Sequence, residues 1–417
     1  MPSVILYKGQ EIRALILSPR PRKLSCNKVF SFSFVLSPNL NLLKCAPALG
    51  YNFIRQNYHP WLGLRMIEGC KVAILNDRSS REGLGTYASL LYEAVSDVAE
   101  LYSTSWDPAK NDREFPGTVF RNEILNRIPN NRFGTYVSRL LTRYLFKDIY
   151  GDLRKFKRNG GVIHYASQLV HPVDHSLDDI VSIHDILGTR QFLREPFHFA
   201  FVQHYLKFNN ILTISSYVKE QIQNINPSAR PVVIYPSVSR SFYKIDKESS
   251  RKKIGLPLDK KIILNISSSQ YRKNISTVVK VMERLTQDYL LIHVGEDIGC
   301  GLSFFNVSYE QLNLLYNSAD VLLFPTLAEG FGRPLVEAMA VGLPIVSSDI
   351  PVVREITQGA AVLTDPLEVD AIVKGIKELT ANSNFLAEKE MERAKFFSRE
   401  RFRADLLRYY HKIGALR

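Results

Sequence analysis

From residue 71 onward, short runs rich in Val, Ile and Leu alternate with stretches whose apolar positions recur at helical spacing. Short continuous apolar runs mark strands buried on both faces, and their alternation with helices argues for parallel sheets built from βα units. The pattern predicts strands at 71–76, 162–166, 180–184, 211–215 and 231–235, and a second set at 262–267, 289–294, 320–324, 343–347 and 360–363. Between the two sets, Pro236 to Pro257 is polar and charged, which places the linker there. Two doubly wound α/β domains of similar size follow, at 66–236 and 237–395, without an evident sequence repeat between them. A C-terminal helix occupies 396–417, read over Ser398 to Ile413 with Ser398 as its cap.

Two stretches break the pattern. At about 120–158 a helical, basic insertion places Val137, Leu140, Leu141, Tyr144 and Leu145 on one face, with Arg139, Arg143 and Lys147 alternating among them. It reads either as an amphipathic helix against the core or as a membrane-surface helix. Residues 1–65 mix Pro-rich basic pieces with short apolar runs and show neither period 2 nor period 3.6, so no folded layer is expected there. This basic extension is open to three readings: a targeting or membrane-surface segment, an accessory arm, or upstream sequence translated from a start codon placed too early. The third gains from Met66, five residues before the first convincing strand. The charged start, single apolar block and small-residue cleavage site of a signal peptide are not found in it.

Composition narrows the classes. A chain of 417 residues, 45% hydrophobic and 23% charged, is too long for one core and too apolar for disorder. Cys26, Cys45, Cys70 and Cys300 are scattered without a CxxC pair, which speaks against a disulfide framework or a cysteine-based metal cluster and for a reducing, cytoplasmic location. No window approaches 18 uninterrupted apolar residues, so a spanning helix is not expected, while peripheral contact at the cytoplasmic membrane face stays open. The net charge of +13 is unevenly spread: nine of the 54 Lys and Arg and one of the 41 acids fall in residues 1–65. The body is thus only mildly basic. No reading motif or aromatic-interleaved basic groove supports a nucleic-acid partner.

Parallel α/β sheets bind ligands at the carboxyl ends of their strands. The run VLLFPTLAEGFGRPLVEAMAVGLPIVSSD at 321–349 is a strand, a Gly-rich loop, a short helix, a Gly-Pro stop and another strand. Gly330 and Gly332 permit close backbone approach, and Pro334 suits a first helical turn whose free amides could meet an anion or a sugar hydroxyl. Glu329 and Glu337, with seven residues between them, can both face one ligand.

Taken together, the run resembles the E-x7-E signature of the family-four (group 1) retaining glycosyltransferases, which share the GT-B fold of two Rossmann-like domains facing across a cleft. The resemblance implies that Glu329 lies by the donor sugar, that Glu337 holds the nucleotide ribose, and that the Gly330, Phe331 and Gly332 loop touches the sugar through its amides. Arg333 departs from the pattern, since relatives often carry an apolar residue there. Further landmarks follow in the family's order over about 66–415. SSQYRKNIS after strand 262–267 resembles the basic loop, in which Arg272 and Lys273 would bind the donor diphosphate. NDRSSREGLGTYASLL resembles the Gly-rich loop before the first helix, where Gly83 and Gly85 would admit the diphosphate or the acceptor. IVSIHD ends in His184 and Asp185 and resembles an HD motif whose histidine borders the donor sugar.

A fork-shaped guanidinium and a compact ammonium suit a diphosphate whose charge grows as the glycosidic bond breaks. GLG is not a full GxGxxG, so no dinucleotide cofactor is expected, and none of another kind. His171 and His175 have zinc-like spacing, but Pro172 breaks the helix that would align them. No DxD occurs, so metal-independent chemistry is expected, with Arg272, Lys273 and helix amides in place of an ion. The expected activity is transfer of a hexose, mannose slightly favoured, from a GDP- or UDP-hexose to a glycan or lipid-linked acceptor, with retention. A nucleotide-sugar epimerase or hydrolase and a non-catalytic scaffold of the same fold are the alternatives.

Overall fold

In the computed structural model of the chain, the structure describes residues 5–8, 11–14, 71–77, 83–104, 118–119, 146–186, 202–381 and 384–416, with positions 141 and 144 between them. Residues 1–63 and 64–417 are separate units. In the first, β1 (Ile5–Lys8) and β2 (Glu11–Ala14) pair as an antiparallel hairpin, Ile5 opposite Ala14. No strand was expected there. Most of the basic insertion, including Val137, Leu140, Arg139 and Arg143, lies outside the described residues.

The second unit holds two wholly parallel sheets. The first contains β3 (Val72–Asn76), β4 (Ala99–Ser103), β5 (Thr118–Val119), β6 (Val162–Tyr165), β7 (Ile180–Ile183), β8 (Asn210–Thr213) and β9 (Val232–Val233) in the order β5-β4-β3-β6-β7-β8-β9. The second contains β10 (Lys261–Ile266), β11 (Tyr289–Val294), β12 (Leu302–Phe304), β13 (Val321–Phe324), β14 (Ile345–Ser348) and β15 (Val362–Thr364) in the order β12-β11-β10-β13-β14-β15. The strand order reverses between β3 and β6 and between β10 and β13, and the loops leaving such strands open a crevice for ligands.

Alternation along each strand sorts its side chains between two layers. Val72 and Ile74 join the large central cluster, whereas Ala73 and Leu75 join an outer one with Ile149, Tyr150 and Leu153 of helix Lys147–Arg158. In the second sheet Leu322 and Phe324 face the central cluster, and Val321 and Leu323 face Val278, Val281, Ile372 and Ile376. One core therefore runs between the sheets, with an outer helical layer on each.

The helices used below are α1 (Gly83–Val95), α2 (Lys147–Arg158), α3 (Ser216–Ile225), α4 (Lys247–Ile254), α5 (Ile275–Arg284), α6 (Tyr309–Ser318), α7 (Arg333–Val341), α8 (Pro351–Thr357), α9 (Val369–Ala381), α10 (Asn384–Lys395) and α11 (Arg399–Lys412). Part of the expected linker folds as α4: Asp246 caps it through the Ser249 amide, and its Arg251 reaches the Ser318 carbonyl and Asp320. The shorter crossing before α4 lies beside the one before α11, with the Val238 amide donating to the Phe397 carbonyl at 2.9 Å.

Ser398 caps α11, which returns to the first sheet. There Phe402 lies 6.2 Å from the Tyr87 ring, and the Tyr410 hydroxyl meets Nδ1 of His164 on β6 at 2.7 Å. No described helix is long and apolar enough to cross a membrane.

Candidate active site

The loops leaving β10 and β13 are joined before any ligand is considered. Arg272 and Lys273 lie in a single 3-10 turn that ends at Asn274 with φ 55°, a left-handed position that asparagine tolerates better than most residues. Asn274 is buried, and its amide donates to the carbonyls of Pro325 and Pro366, both at 2.9 Å. The Arg272 carbonyl accepts from the Leu327 amide and from Thr326 Oγ1. The two cations are thereby brought to the mouth of the EGFG loop.

There they meet Glu329. Arg272 Nη1 donates to Oε2 at 3.1 Å, Lys273 Nζ donates to Oε1, and Thr326 Oγ1 stands 3.1 Å from the same oxygen, its one proton shared with the Arg272 carbonyl. Burial draws the Lys273 ammonium below its ordinary pKa, against the pull of Glu329. Asp185, next to His184 at the end of β7, shares this field: burial raises its carboxyl, Arg272 and Lys273 oppose the rise, and Glu329 adds to it. The cluster thus brings together Arg272, Lys273, Glu329 and Asp185.

The EGFG loop is pressed against the first sheet. A Cβ on Gly330 would stand 1.9 Å from the His184 carbonyl oxygen, so no side chain fits there. Ser215, the cap of α3, donates to the Gly330 carbonyl at 2.6 Å. Gly332, at φ 85°, opens α7 in a conformation that favours glycine. The Phe331 ring packs on Phe397 in the core, which leaves only its main chain for a ligand.

His184 is a buried, neutral imidazole. Its Nε2 lies 2.8 Å from the Ala166 carbonyl and must carry the proton of that bond, so Nδ1 is the acceptor. Burial pushes its pKa down to about 4. The Tyr87 ring meets it edge-on at 4.5 Å, and the Tyr87 hydroxyl continues through Ser182 to His164 Nε2.

Glu337 forms a second cluster. Tyr316 donates to Oε2 at 2.7 Å and Arg333 Nη2 to Oε1 at 2.7 Å. Arg333, noted in sequence only as a departure, is therefore an ion-pair partner of the expected ribose carboxylate. Burial works against its charge, but Glu337, Tyr309 and Tyr316 prevail and raise its pKa.

Gly83 and Gly85 occupy the first turn of α1 and not a loop before it. A Cβ on Gly83 would meet nothing within 4 Å among the described residues, so none of them requires a glycine there.

Partners that sequence reading missed are Asn274, Thr326, Tyr316 and Tyr309, all ordinary polar residues without spacing to mark them. Asp185 was visible as half of the HD pair but carried no role of its own.

Comparison with known proteins supplies a context for this geometry. Residues 302–396 match the family Glycosyl transferases group 1. The chain is 27% identical over 239 residues to the O-antigen chain mannosyltransferase RfbU of Salmonella typhimurium, a match covering 50% of this chain and 63% of that protein. It is 40% identical over 76 residues to the serotype-specific mannosyltransferase WbdA of Escherichia coli, covering 18% of this chain and 9% of that one. The chain thus spans less than two thirds of these curated relatives.

Among solved structures, sucrose-phosphate synthase from Thermosynechococcus elongatus aligns with a TM-score of 0.67 at 19% identity, covering 83% of this chain and 99% of that one. Anabaena HepE in complex with UDP-glucose aligns with a TM-score of 0.64 at 16% identity, covering 83% and 100%. These likenesses, with the two parallel sheets, establish the GT-B fold.

Proposed function

We propose that this group 1 glycosyltransferase of GT-B fold transfers a hexose, with mannose favoured, from a nucleotide diphosphate sugar to a hydroxyl of a glycan or lipid-linked acceptor. The observation that carries the reading is the convergence of Arg272, Lys273 and Glu329 at the strand-order reversal of the second sheet, against His184 of the first. Mannose is favoured by the likeness to the two mannosyltransferases named above.

A donor diphosphate carries the charge that Arg272 and Lys273 are suited to hold. In the structure both cations are paired with Glu329. On binding, the phosphates take over the cations and Glu329 turns to the sugar. The acceptor oxygen then attacks the anomeric carbon on the face from which the diphosphate departs. The anomeric carbon–diphosphate bond breaks, and the acceptor proton passes to a diphosphate oxygen. Arg272, Lys273 and the amides opening α7 stabilise the leaving charge, which needs no metal ion.

Neutral His184 and the Gly330 main chain border the sugar, and Glu337 receives the ribose hydroxyls. A first-sheet acceptor site at the cytoplasmic membrane face completes the proposal.

Thermal shift of the full chain against UDP, GDP, ADP and their hexose conjugates, without metal and beside Glu337→Ala, tests it. Ligand binding to the native state raises the melting temperature. A rise with one nucleotide series that shrinks in the variant is expected. No rise at saturating ligand would favour the non-catalytic scaffold. Release of free hexose in the absence of acceptor, at the rate seen with it, would favour a hydrolase.

A further inference from the structure

We propose that Gln168 is a positioning residue for the donor sugar: its amide holds the end of the HD strand as the seat on which the EGFG loop rests. The proposal rests on the reading of His184 and the Gly330 main chain as the border of the sugar.

The need for such a holder is set by the sheet. β7 pairs with β6 as far as Tyr165 opposite Val181, and with β8 as far as Ile183 opposite Thr213. His184 and Asp185 lie beyond both ladders, so their main-chain groups need partners of another kind. Gln168 supplies them. Its Oε1 accepts from the His184 amide at 3.2 Å, and its Nε2 donates to the Asp185 carbonyl at 2.8 Å. Both partners are main-chain groups whose roles are fixed, so the side-chain amide can stand in one orientation only. A side chain here does what a peptide group of a neighbouring strand would do.

Gln168 is itself well held. It is buried, in the turn that follows β6. The Ala166 amide donates to the Leu75 carbonyl at 2.9 Å, the Val170 amide to the Ser167 carbonyl at 3.3 Å, and the Tyr205 hydroxyl to the Val170 carbonyl at 2.6 Å. The turn is thus pinned before and after the residue that it presents.

What Gln168 grips is the peptide that meets Gly330. A Cβ on Gly330 would stand 1.9 Å from the His184 carbonyl oxygen and 3.2 Å from Asp185 Cβ, so the loop bears on the unit joining these two residues. The groups on either side of that unit are the two that Gln168 bonds. Releasing them frees the unit to turn, and the His184 ring and the Gly330 main chain lose their common reference. Arg272 and Lys273 lie in the turn after β10, and Glu337 lies on α7, so the groups proposed for the diphosphate and the ribose keep their places. Gln168 therefore acts on the affinity for the hexose and not on that for the nucleotide.

Isothermal titration of the full chain with GDP, UDP and their mannose and glucose conjugates tests this as a ratio, the Kd of the nucleotide over the Kd of its conjugate. A loss of folded protein moves both constants alike and cancels. Gln168→Met keeps the shape and removes both hydrogen bonds. In it the ratio for the accepted nucleotide should fall about three- to tenfold, the scale of one hydrogen bond, while the Kd of the nucleotide itself stays at its wild-type value. Gln168→Glu keeps the acceptor and loses the donor, and should lower the ratio as well; melting curves show which variants fold. Gly330→Ala should also lower the ratio, and Gln168→Met added to it should change the ratio little further, because both act at one contact.

An unchanged ratio in Gln168→Met, or in Gln168→Glu where only that variant folds, overturns the positioning role. So does an equal weakening of nucleotide and conjugate, or losses that multiply in the double variant. Each of these leaves the transferase reading intact so long as the wild type binds nucleotide and conjugate. Failure of the wild type to bind a nucleotide or any of the conjugates overturns the transferase reading and this role with it.

Discussion

The main chain of Gly330 lies against the carbonyl of His184 so closely that a built Cβ would stand 1.9 Å from the oxygen. The obstacle is backbone, which cannot swing aside as the end of a long side chain can. Gly330→Ala must therefore lift the EGFG loop from the HD strand end and strain the Ser215 contact to the Gly330 carbonyl. Overpacking of this kind costs about 1–3 kcal/mol, and displacement at a reacting centre reduces rate further. The variant should melt lower and turn over at least about tenfold more slowly. Wild-type values in both a melting curve and an initial-rate assay would contradict this account.

Glu329 is the internal counter-ion of two cations that the proposed ligand would claim. In Glu329→Gln the charge is lost while the shape is kept, so Arg272 and Lys273 face each other with weaker compensation. The ligand-free chain should lose about 1–3 kcal/mol, the usual penalty for a buried polar group deprived of its partner. Pyrophosphate should recover much of that loss and bind more tightly than to wild type. Urea unfolding with and without pyrophosphate measures both effects. An equal loss in the two conditions would mean that the anion does not replace the carboxylate.

Two buried histidines and one buried glutamate give stability opposite dependences on pH. His164 and His184 have pKa values pushed by burial from 6.5 to about 3 and about 4. As pH falls below 6.5 the unfolded chain takes up protons that the folded chain refuses, so stability declines toward pH 4. Glu390 is buried, with no hydrogen-bond partner on either oxygen among the described residues, and burial raises its pKa from 4.5 to about 8 against the pull of the Ile345 amide and Lys244. The folded chain keeps this proton while the unfolded chain releases it, so stability declines as pH rises from 4.5 to 8. Glu390→Gln should remove the decline on the alkaline side and preserve the histidine-driven decline on the acid side. Denaturant midpoints from pH 4 to 9 check this, and an alkaline decline that survives in the variant would exclude Glu390 as its source.

Much of the fold was legible because strands buried on both faces are nearly all apolar: Val72–Asn76, Val321–Phe324 and Ile345–Ser348 stand out from their neighbours. The strands that escaped have different compositions. Ala99–Ser103 carries Glu100 in an edge region, Thr118–Val119 is two residues long, and Leu302–Phe304 is largely exposed. The linker was overdrawn because α4 is held by polar contacts, with Arg251 bonded to Asp320 and four backbone carbonyls, and not by an apolar stripe. At the site, Arg272, Lys273, Glu329 and Glu337 were legible through their spacing. Their partners were not, because Tyr316 reaches Glu337 from α6, another segment of the chain, and no local pattern records such a contact.

Glu355 on α8 illustrates the same limit and supports a further prediction. Its carboxylate accepts from the amides of Ser216 and Tyr217 at 2.6 and 3.0 Å, and from the Tyr235 hydroxyl at 2.7 Å. It thereby occupies the positive end of α3, a first-sheet helix. Glu355→Ala should cost about 1–3 kcal/mol, from the lost cap and unpaired amides. It should also enlarge the radius of gyration in small-angle scattering by loosening the sheets from one another. An unchanged scattering profile together with unchanged stability would show that the cap carries no weight.

The hydrogen bond from the Val238 amide to the Phe397 carbonyl joins the two places where the chain passes between the sheets. Two adjacent covalent crossings act like the paired knuckles of a door. They permit swing about the line through them and resist twist about the perpendicular. Any rotation of one half against the other is thereby confined to the line through the crossings, the line that also fixes how Gly330 faces His184 and Tyr309 faces Thr86.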